Sequence, residues 1–151
     1  MLKKGDKAPA FSGNDQSGKP ISLSLFKGKK LILYFYPKDD TPGCTAEACS
    51  LRDGYELLTN NGFEVVGVSP DNEKSHQKFS SKYELPFHLV PDPDKTILKA
   101  YGAWGMKKMY GKEYEGVLRT TFIIDEHGVI EQVIPKVDTK NHADQILKLI
   151  S

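Results

Sequence analysis

The sequence predicts an α/β fold: a three-layer sandwich with a central mixed sheet and a hairpin at the N-terminus. Three observations carry that reading. Residues 31–36 (Leu-Ile-Leu-Tyr-Phe-Tyr) and 65–68 (Val-Val-Gly-Val) are continuous apolar runs, the pattern of strands buried on both faces. Stretches with apolar residues at helical spacing separate such runs, so strands and helices alternate. The last part of the chain reads strand, turn, strand, helix, which adds antiparallel pairing.

Taken in order, residues 10–23 alternate loosely around Ser17-Gly18-Lys19-Pro20 and predict the hairpin. Ser24 caps a short turn that Gly28 ends. The 31–36 strand stops at Pro37. Thr41 as N-cap and Pro42 at the first helical position open a helix running unbroken to about Asn60, closed by Asn61-Gly62. Residues 63–69 are a second buried strand. Asp71 or Asn72 caps a helix to about Glu84 with His76, Phe79 and Tyr83 on one stripe. Pro86 and Pro91 bracket a short strand. Asp94 caps a short helix carrying Ile97, Leu98 and Tyr101, ended by Gly102. Residues 103–116 read as a loop or irregular hairpin arm. Residues 119–125 are a strand, Glu126-His127-Gly128 a turn and 129–134 the returning strand. Thr139 or Asn141 starts a last helix with the stripe Ala143, Ile146, Leu147 and Ile150. The thioredoxin-like arrangement fits this order. With 151 residues and no linker or repeat, one domain over 1–151 is expected.

A net charge of +1, with both signs interspersed, offers no basic patch for nucleic acid. The longest apolar run, 31–36, is far short of the ~18 residues a membrane span needs. The opening Met-Leu-Lys-Lys-Gly-Asp-Lys lacks the apolar segment of a signal peptide, so a cytoplasmic location with no membrane partner is expected. Thiols stay reduced there, and a structural disulfide is not expected.

The chain has two cysteines. Cys44 falls in the first turn of the helix that starts at Pro42, where unpaired N–H groups and the dipole favour an anion. At 100° per residue, Ala48, Leu51, Tyr55 and Leu58 share its face within about 40°, so Cys44 points with the core stripe. Burial disfavours a thiolate and the helix start favours it. A fixed positive charge decides the balance, with Lys38, Arg52 and the more distant Arg119 as candidates. Cys49 lies about 140° around the helix. While the helix is intact the two Cα atoms are about 8–9 Å apart, beyond the roughly 4.4–6.8 Å of a disulfide. Spacing alone leaves two readings open. Either the cysteines never bond, or the helix start unwinds after Cys44 is oxidised and Cys49 captures it. The polar 38–41 loop and Gly43 would make that opening cheap.

One Cys-x4-Cys pair with four scattered histidines (His76, His88, His127, His142) does not make a zinc site, and no metal is expected. The histidines read as surface or edge residues, His76 as a satisfied one at the core edge. Glu47 reads as a dipole-favoured carboxylate or as a hydrogen-bond partner of the site. Trp104, Met106 and Tyr110 read as packing residues rather than a pocket border.

Tyr36-Pro37-Lys38-Asp39-Asp40-Thr41-Pro42-Gly43-Cys44 resembles the peroxiredoxin signature, with its proline, threonine and cysteine at Pro37, Thr41 and Cys44. Cys49, Tyr110-Gly111-Lys112 and Gly116-Val117-Leu118-Arg119-Thr120-Thr121-Phe122 are similar to the bacterioferritin comigratory protein, or peroxiredoxin Q, branch. The similarity covers nearly the whole chain. It implies a thiol-dependent peroxidase that reduces hydrogen peroxide and alkyl hydroperoxides with no metal or organic cofactor. It implies that Cys44 is the thiolate oxidised to sulfenic acid, that Thr41 orients thiolate and peroxide, and that Pro37 shields the pocket. Arg119 would be the family's arginine, its fork of donors holding thiolate and peroxide together. The N–H groups of Gly43 and Cys44 would complete an electrostatic pocket. Cys49 would resolve the sulfenic acid as an intrachain disulfide, reduced by thioredoxin or a similar dithiol protein. With no second cysteine near the C-terminus, a monomer is expected. Two alternatives share the fold. A thiol–disulfide oxidoreductase usually shows Cys-x-x-Cys, and the Cys-x4-Cys spacing counts against it. A non-catalytic redox sensor wants the same pair of cysteines.

Overall fold

The computed structural model describes residues 2–150, apart from the Met109 side chain, so the expected domain over 1–151 reaches one residue past the description at each end. β1 (Ser12–Asn14) and β2 (Pro20–Ser22) form the N-terminal hairpin. The Asp15 carboxylate closes its turn by accepting from the N–H groups of Ser17 and Lys19. A 3-10 turn (Leu23–Phe26) leads into β3 (Lys30–Phe35), α1 (Pro42–Asp53) and α2 (Tyr55–Asn60). Then come β4 (Phe63–Ser69), α3 (Glu73–Tyr83), β5 (His88–Pro91) and α4 (Thr96–Ala100). The chain finishes with the ribbon β6 (Trp104–Met109) and β7 (Lys112–Val117), then β8 (Thr120–Ile124), β9 (Ile130–Ile134) and α5 (His142–Ile150).

The main sheet has the order β5-β4-β3-β8-β9. β3, β4 and β5 run parallel, and β8 and β9 pair antiparallel, so the sheet is mixed as the sequence predicts. Because successive strand side chains point to opposite faces, β3 feeds two cores. Leu31, Leu33 and Phe35 pack with Phe11, Phe26, Leu98 and Tyr101. Ile32 and Tyr34 pack with Ala48, Leu51, Leu58, Phe79 and Ile146 from α1, α2, α3 and α5. Burying each such side chain contributes roughly 1.5–3 kcal/mol, which makes β3 the spine of both layers. Among the described residues, no helix is long and apolar enough to cross a membrane.

Three local readings are corrected. The helix expected from Pro42 to about Asn60 is two helices that meet at Gly54. A Cβ on Gly54 would lie 2.6 Å from that of Ala143. α5 therefore approaches where only glycine fits, and glycine is a poor helix interior. Asp94 does not cap α4: the buried Asp92 carboxylate accepts the Leu98 N–H at 2.8 Å, and Lys95 takes the left-handed N-cap position. The 103–116 arm is a regular ribbon whose two strands pair with each other and not with the main sheet. Met106 and Tyr110 are therefore exposed rather than packed, Tyr110 at 98%. Trp104 is half-buried, with the Lys95 ammonium 5.3 Å from its ring.

Candidate active site

β3 is followed by Tyr36, whose N–H still reaches the Val68 carbonyl, and by the half-buried Pro37. Thr41 occupies the N-cap of α1 in extended conformation, but its side chain does not cap: the hydroxyl donates to the Lys38 carbonyl at 2.8 Å. The first helical bond runs from the Thr45 N–H to the Thr41 carbonyl at 2.8 Å. The N–H groups of Gly43 and Cys44 lie before it and have no intrahelical acceptor. Cys44 is 1% exposed, Cys49 is half-buried, and both thiols are free. α1 is continuous across both, so the expected separation of their Cα atoms stands.

Of the three candidate charges, Arg119 stands at Cys44. Its Nη2 is 3.3 Å from Sγ, and its Nη1 is 2.6 Å from Glu47 Oε1. The antiparallel register that pairs Phe35 with Thr120 brings Arg119 to the end of β3 where α1 begins. Gly43 leaves the guanidinium its space: a Cβ there would lie 3.3 Å from Nη2. Burial works to lower the Arg119 pKa, but Glu47 and Cys44 hold it above the ordinary value. Arg52 instead pairs with Asp53 and donates to the Tyr83 carbonyl, and Lys38 is exposed.

Glu47 is three residues after Cys44 and so on the same helix face. It is wholly buried, and burial pushes its carboxyl up to about 7 against the pull of Arg119. Its Oε2 has no hydrogen-bond partner among the described residues and stands 3.6 Å from His142 Nε2. His142 is not a surface or edge residue. It is wholly buried, bonded to Thr121 Oγ1 at 2.8 Å and Gln145 Oε1 at 2.9 Å, and burial lowers its pKa to about 4. The signal for it was the α5 stripe: His142 lies four residues before Ile146, on the same face. Tyr34 completes the cluster. Its buried hydroxyl has no hydrogen-bond partner among the described residues, and burial raises its pKa well above the ordinary value, with the charges of Glu47 and Cys44 adding to the effect. Gly67 lets its ring cross β4, since a Cβ there would meet Tyr34 Cζ at 2.8 Å.

The 38–41 loop is polar but tied down. Asp39 accepts from the Tyr36 and Ser75 hydroxyls at 2.6 and 2.7 Å, and its N–H donates to Asp71 Oδ2 at 2.7 Å. Asp40 accepts from Lys82 and the Tyr83 hydroxyl at 2.8 and 2.7 Å. Loop opening must break these contacts to α3, so it is less cheap than composition suggests. Among the described residues, Asp39, Asp71 and His76 bring three potential metal-ligand atoms within 4.8 Å of one another. Hydroxyl and backbone groups already bond these carboxylates, and Ser69 Oγ lies 2.8 Å from His76 Nε2, so the cluster works as a knot between loop and α3.

The sequence pattern of the AhpC/TSA family matches residues 4–133. Peroxiredoxin Bcp of Bacillus subtilis is 42% identical, the alignment covering 99% of this chain and 95% of that one. Peroxiredoxin Bcp of Escherichia coli K12 is 43% identical over 97% of this chain and 94% of its own. The bacterioferritin comigratory protein of Xanthomonas campestris, solved in a study of its alkyl peroxide reduction activity, superposes with a TM-score of 0.87 at 35% identity, covering 93% of this chain and 89% of that one.

Proposed function

This chain belongs to the AhpC/TSA family, in its Bcp peroxiredoxin branch, and is a thiol peroxidase with the thioredoxin fold; from that premise we propose that Cys44 is the thiol that meets the peroxide and Cys49 the one that repairs it. The observation that carries this reading is the Arg119 guanidinium, 3.3 Å from the buried Cys44 Sγ at a helix start. A cation there favours the thiolate that burial opposes.

The thiolate attacks the nearer peroxide oxygen. The S–O bond forms as the O–O bond breaks, and the departing oxygen leaves as water or alcohol, taking the proton of the attacked hydroxyl, while the sulfenate left on Cys44 takes a proton from water to become the sulfenic acid. Arg119 and the free N–H groups of Gly43 and Cys44 face the charge spread over these atoms. The Thr41 hydroxyl donates to the Lys38 carbonyl, which leaves its oxygen as an acceptor to orient a peroxide O–H. Pro37, half-buried at the strand end, keeps water from the thiolate's flank. The resulting sulfenic acid is attacked by the Cys49 thiolate, giving an intrachain disulfide and water once a proton is added. Because the intact helix holds the cysteines apart, this step follows unwinding of the α1 start. Thioredoxin or a similar dithiol protein returns both thiols, with hydrogen peroxide and alkyl hydroperoxides as substrates. The working unit is a cytoplasmic monomer.

Peroxide-dependent NADPH oxidation through thioredoxin and its reductase tests this reading. Cys44→Ser should abolish turnover. Cys49→Ser should consume one equivalent of peroxide and then stop. Normal thioredoxin-linked turnover by Cys49→Ser would remove Cys49 from its role.

A further inference from the structure

The Glu47 carboxyl sits against the arginine that faces Cys44, yet one of its oxygens is buried without a partner. Of the groups facing Glu47, Cys44 comes from its own helix, Tyr34 from β3, Arg119 from the residue just before β8, Thr121 from β8, and His142 from α5. Asp138, before α5, acts on His142 through space. Charge counting then limits the possible states. Thiolate, guanidinium and ionised Glu47 beside neutral His142 would leave one uncompensated negative charge in a buried cluster, which is costly. One proton on either Glu47 or His142 makes the cluster neutral.

The hydrogen bonds around His142 show where that proton can sit. The Gln145 amide nitrogen donates to the Lys136 carbonyl, which fixes Oε1 as the atom facing His142 Nδ1. Oε1 also accepts the Asp138 N–H, so Nδ1 must be the donor and carries a hydrogen. Nε2 is then the site that loses or gains a proton, and it is the atom 3.6 Å from the unpartnered Glu47 Oε2. Nε2 also lies 2.8 Å from Thr121 Oγ1, so the two meet when the Thr121 hydroxyl gives up its bond to the ring.

We propose that Glu47 and His142 share one buried proton, and that this pair is a positioning device which leaves the charge of Arg119 available to Cys44. When the proton is lost, ionised Glu47 competes with the thiolate for the guanidinium. Burial favours the neutral form of each partner, which places the proton mainly on Glu47. No oxidant or reductant is involved: one proton moves between Oε2 and Nε2, or leaves to water at high pH.

The kinetic arm rests on Cys44 being the reacting thiol. Single-turnover oxidation of the reduced protein by hydrogen peroxide is followed against pH. In the wild type the rate should decline on the alkaline side as the shared proton is lost. His142→Asn should move that decline to lower pH by about one unit, making the variant about fivefold slower at the wild-type midpoint. Glu47→Gln should remove the decline, and His142→Asn placed on it should then have no further effect. A pH profile unmoved by His142→Asn, or a shift that persists on the Glu47→Gln background, overturns the proposal. A second arm needs neither substitution nor turnover. NMR titration of the wild-type His142 ring and Glu47 carboxyl should show both shifts changing together at one midpoint; independent midpoints overturn the proposal even if the protein reduces peroxide as expected.

Discussion

Two buried carboxylates flank the active-site turn, and their surroundings are nearly copies. Asp39 Oδ2 and Glu47 Oε2 each stand 3.6 Å from the Nε2 of a buried histidine, His76 and His142. Each Nε2 is 2.8 Å from a hydroxyl, of Ser69 or Thr121. They part company at the remaining atoms. Both Asp39 oxygens accept from hydroxyl groups. Glu47 gives one oxygen to Arg119 and leaves the other unpartnered. A fully bonded carboxylate makes an anchor, because every proton around it has a fixed place. A half-bonded one beside a cation can change the charge its neighbour experiences. The same motif therefore serves as a knot before α1 and as an electrostatic control within it.

Arg119→Ala breaks that comparison most severely. Cys44 oxidation should slow about 10²–10³-fold, as expected when one aligned charge-stabilising donor is lost. Single-turnover peroxide reaction measures this, with thiolate absorbance falling in parallel. A loss of less than about threefold would mean that the guanidinium does not serve the reaction.

Next in size is the pH dependence of stability. In each pair burial lifts the carboxyl, Glu47 to about 7 and Asp39 to about 6, and lowers the histidine to about 4. A raised carboxyl contributes stability that is fully present below its unfolded value near 4 and lost as pH rises through the folded value. A lowered histidine contributes stability present above 6.5 and lost as pH falls through about 4. Between about pH 5 and 6 the folded pair keeps its proton on the carboxyl and the unfolded pair keeps it on the histidine. The proton counts match, and the two effects cancel. Glu47→Gln leaves His142 alone, so stability should decline as pH falls from 6.5 toward 4. His142→Asn leaves Glu47 without its partner, so stability should decline as pH rises toward a value about one unit below the wild-type one near 7. Each slope should approach about 1.4 kcal/mol per pH unit. Urea unfolding at several pH values checks this, and slopes of the same sign in both variants would defeat the pairing.

Asp39→Asn tests the anchor. It replaces one acceptor with a donor facing a hydroxyl, and should cost about 1–3 kcal/mol. The rate of Cys44 oxidation should stay within about twofold, unlike any change at Arg119. The smallest effect is expected from Tyr83→Phe, which removes the hydroxyl bond to Asp40. It should cost about 0.5–1.5 kcal/mol and speed disulfide formation after one equivalent of peroxide, because the loop opens more readily. An unchanged or slower disulfide step, followed by the loss of free thiol, would show that the knot does not restrain opening.

Much of the fold was legible from local pattern. The 31–36 run marked the spine strand, Thr41-Pro42 the start of α1, and the final strand-turn-strand the antiparallel edge. Readings failed where another part of the chain intervened. Gly54 breaks the helix because Ala143 arrives there. Met106 and Tyr110 are exposed because their ribbon does not pair with the main sheet. The polar 38–41 loop is held because Lys82 and Tyr83 reach it from α3.

The sequence by itself determined the strand, the turn chemistry and a cysteine in a helix's first turn, because dihedral preference and hydrophobic period act over a few residues. It also determined that Cys44 and Cys49 cannot bond on an intact helix, since that is helix geometry alone. Only the tertiary structure decided which cation faces Cys44, and that Glu47 shares its burial with His142. Arg119 is 75 residues from Cys44 and reaches it through the β3–β8 register. Contact across such distances, and the desolvation that moves a proton from one side chain to another, exist only once the layers have closed.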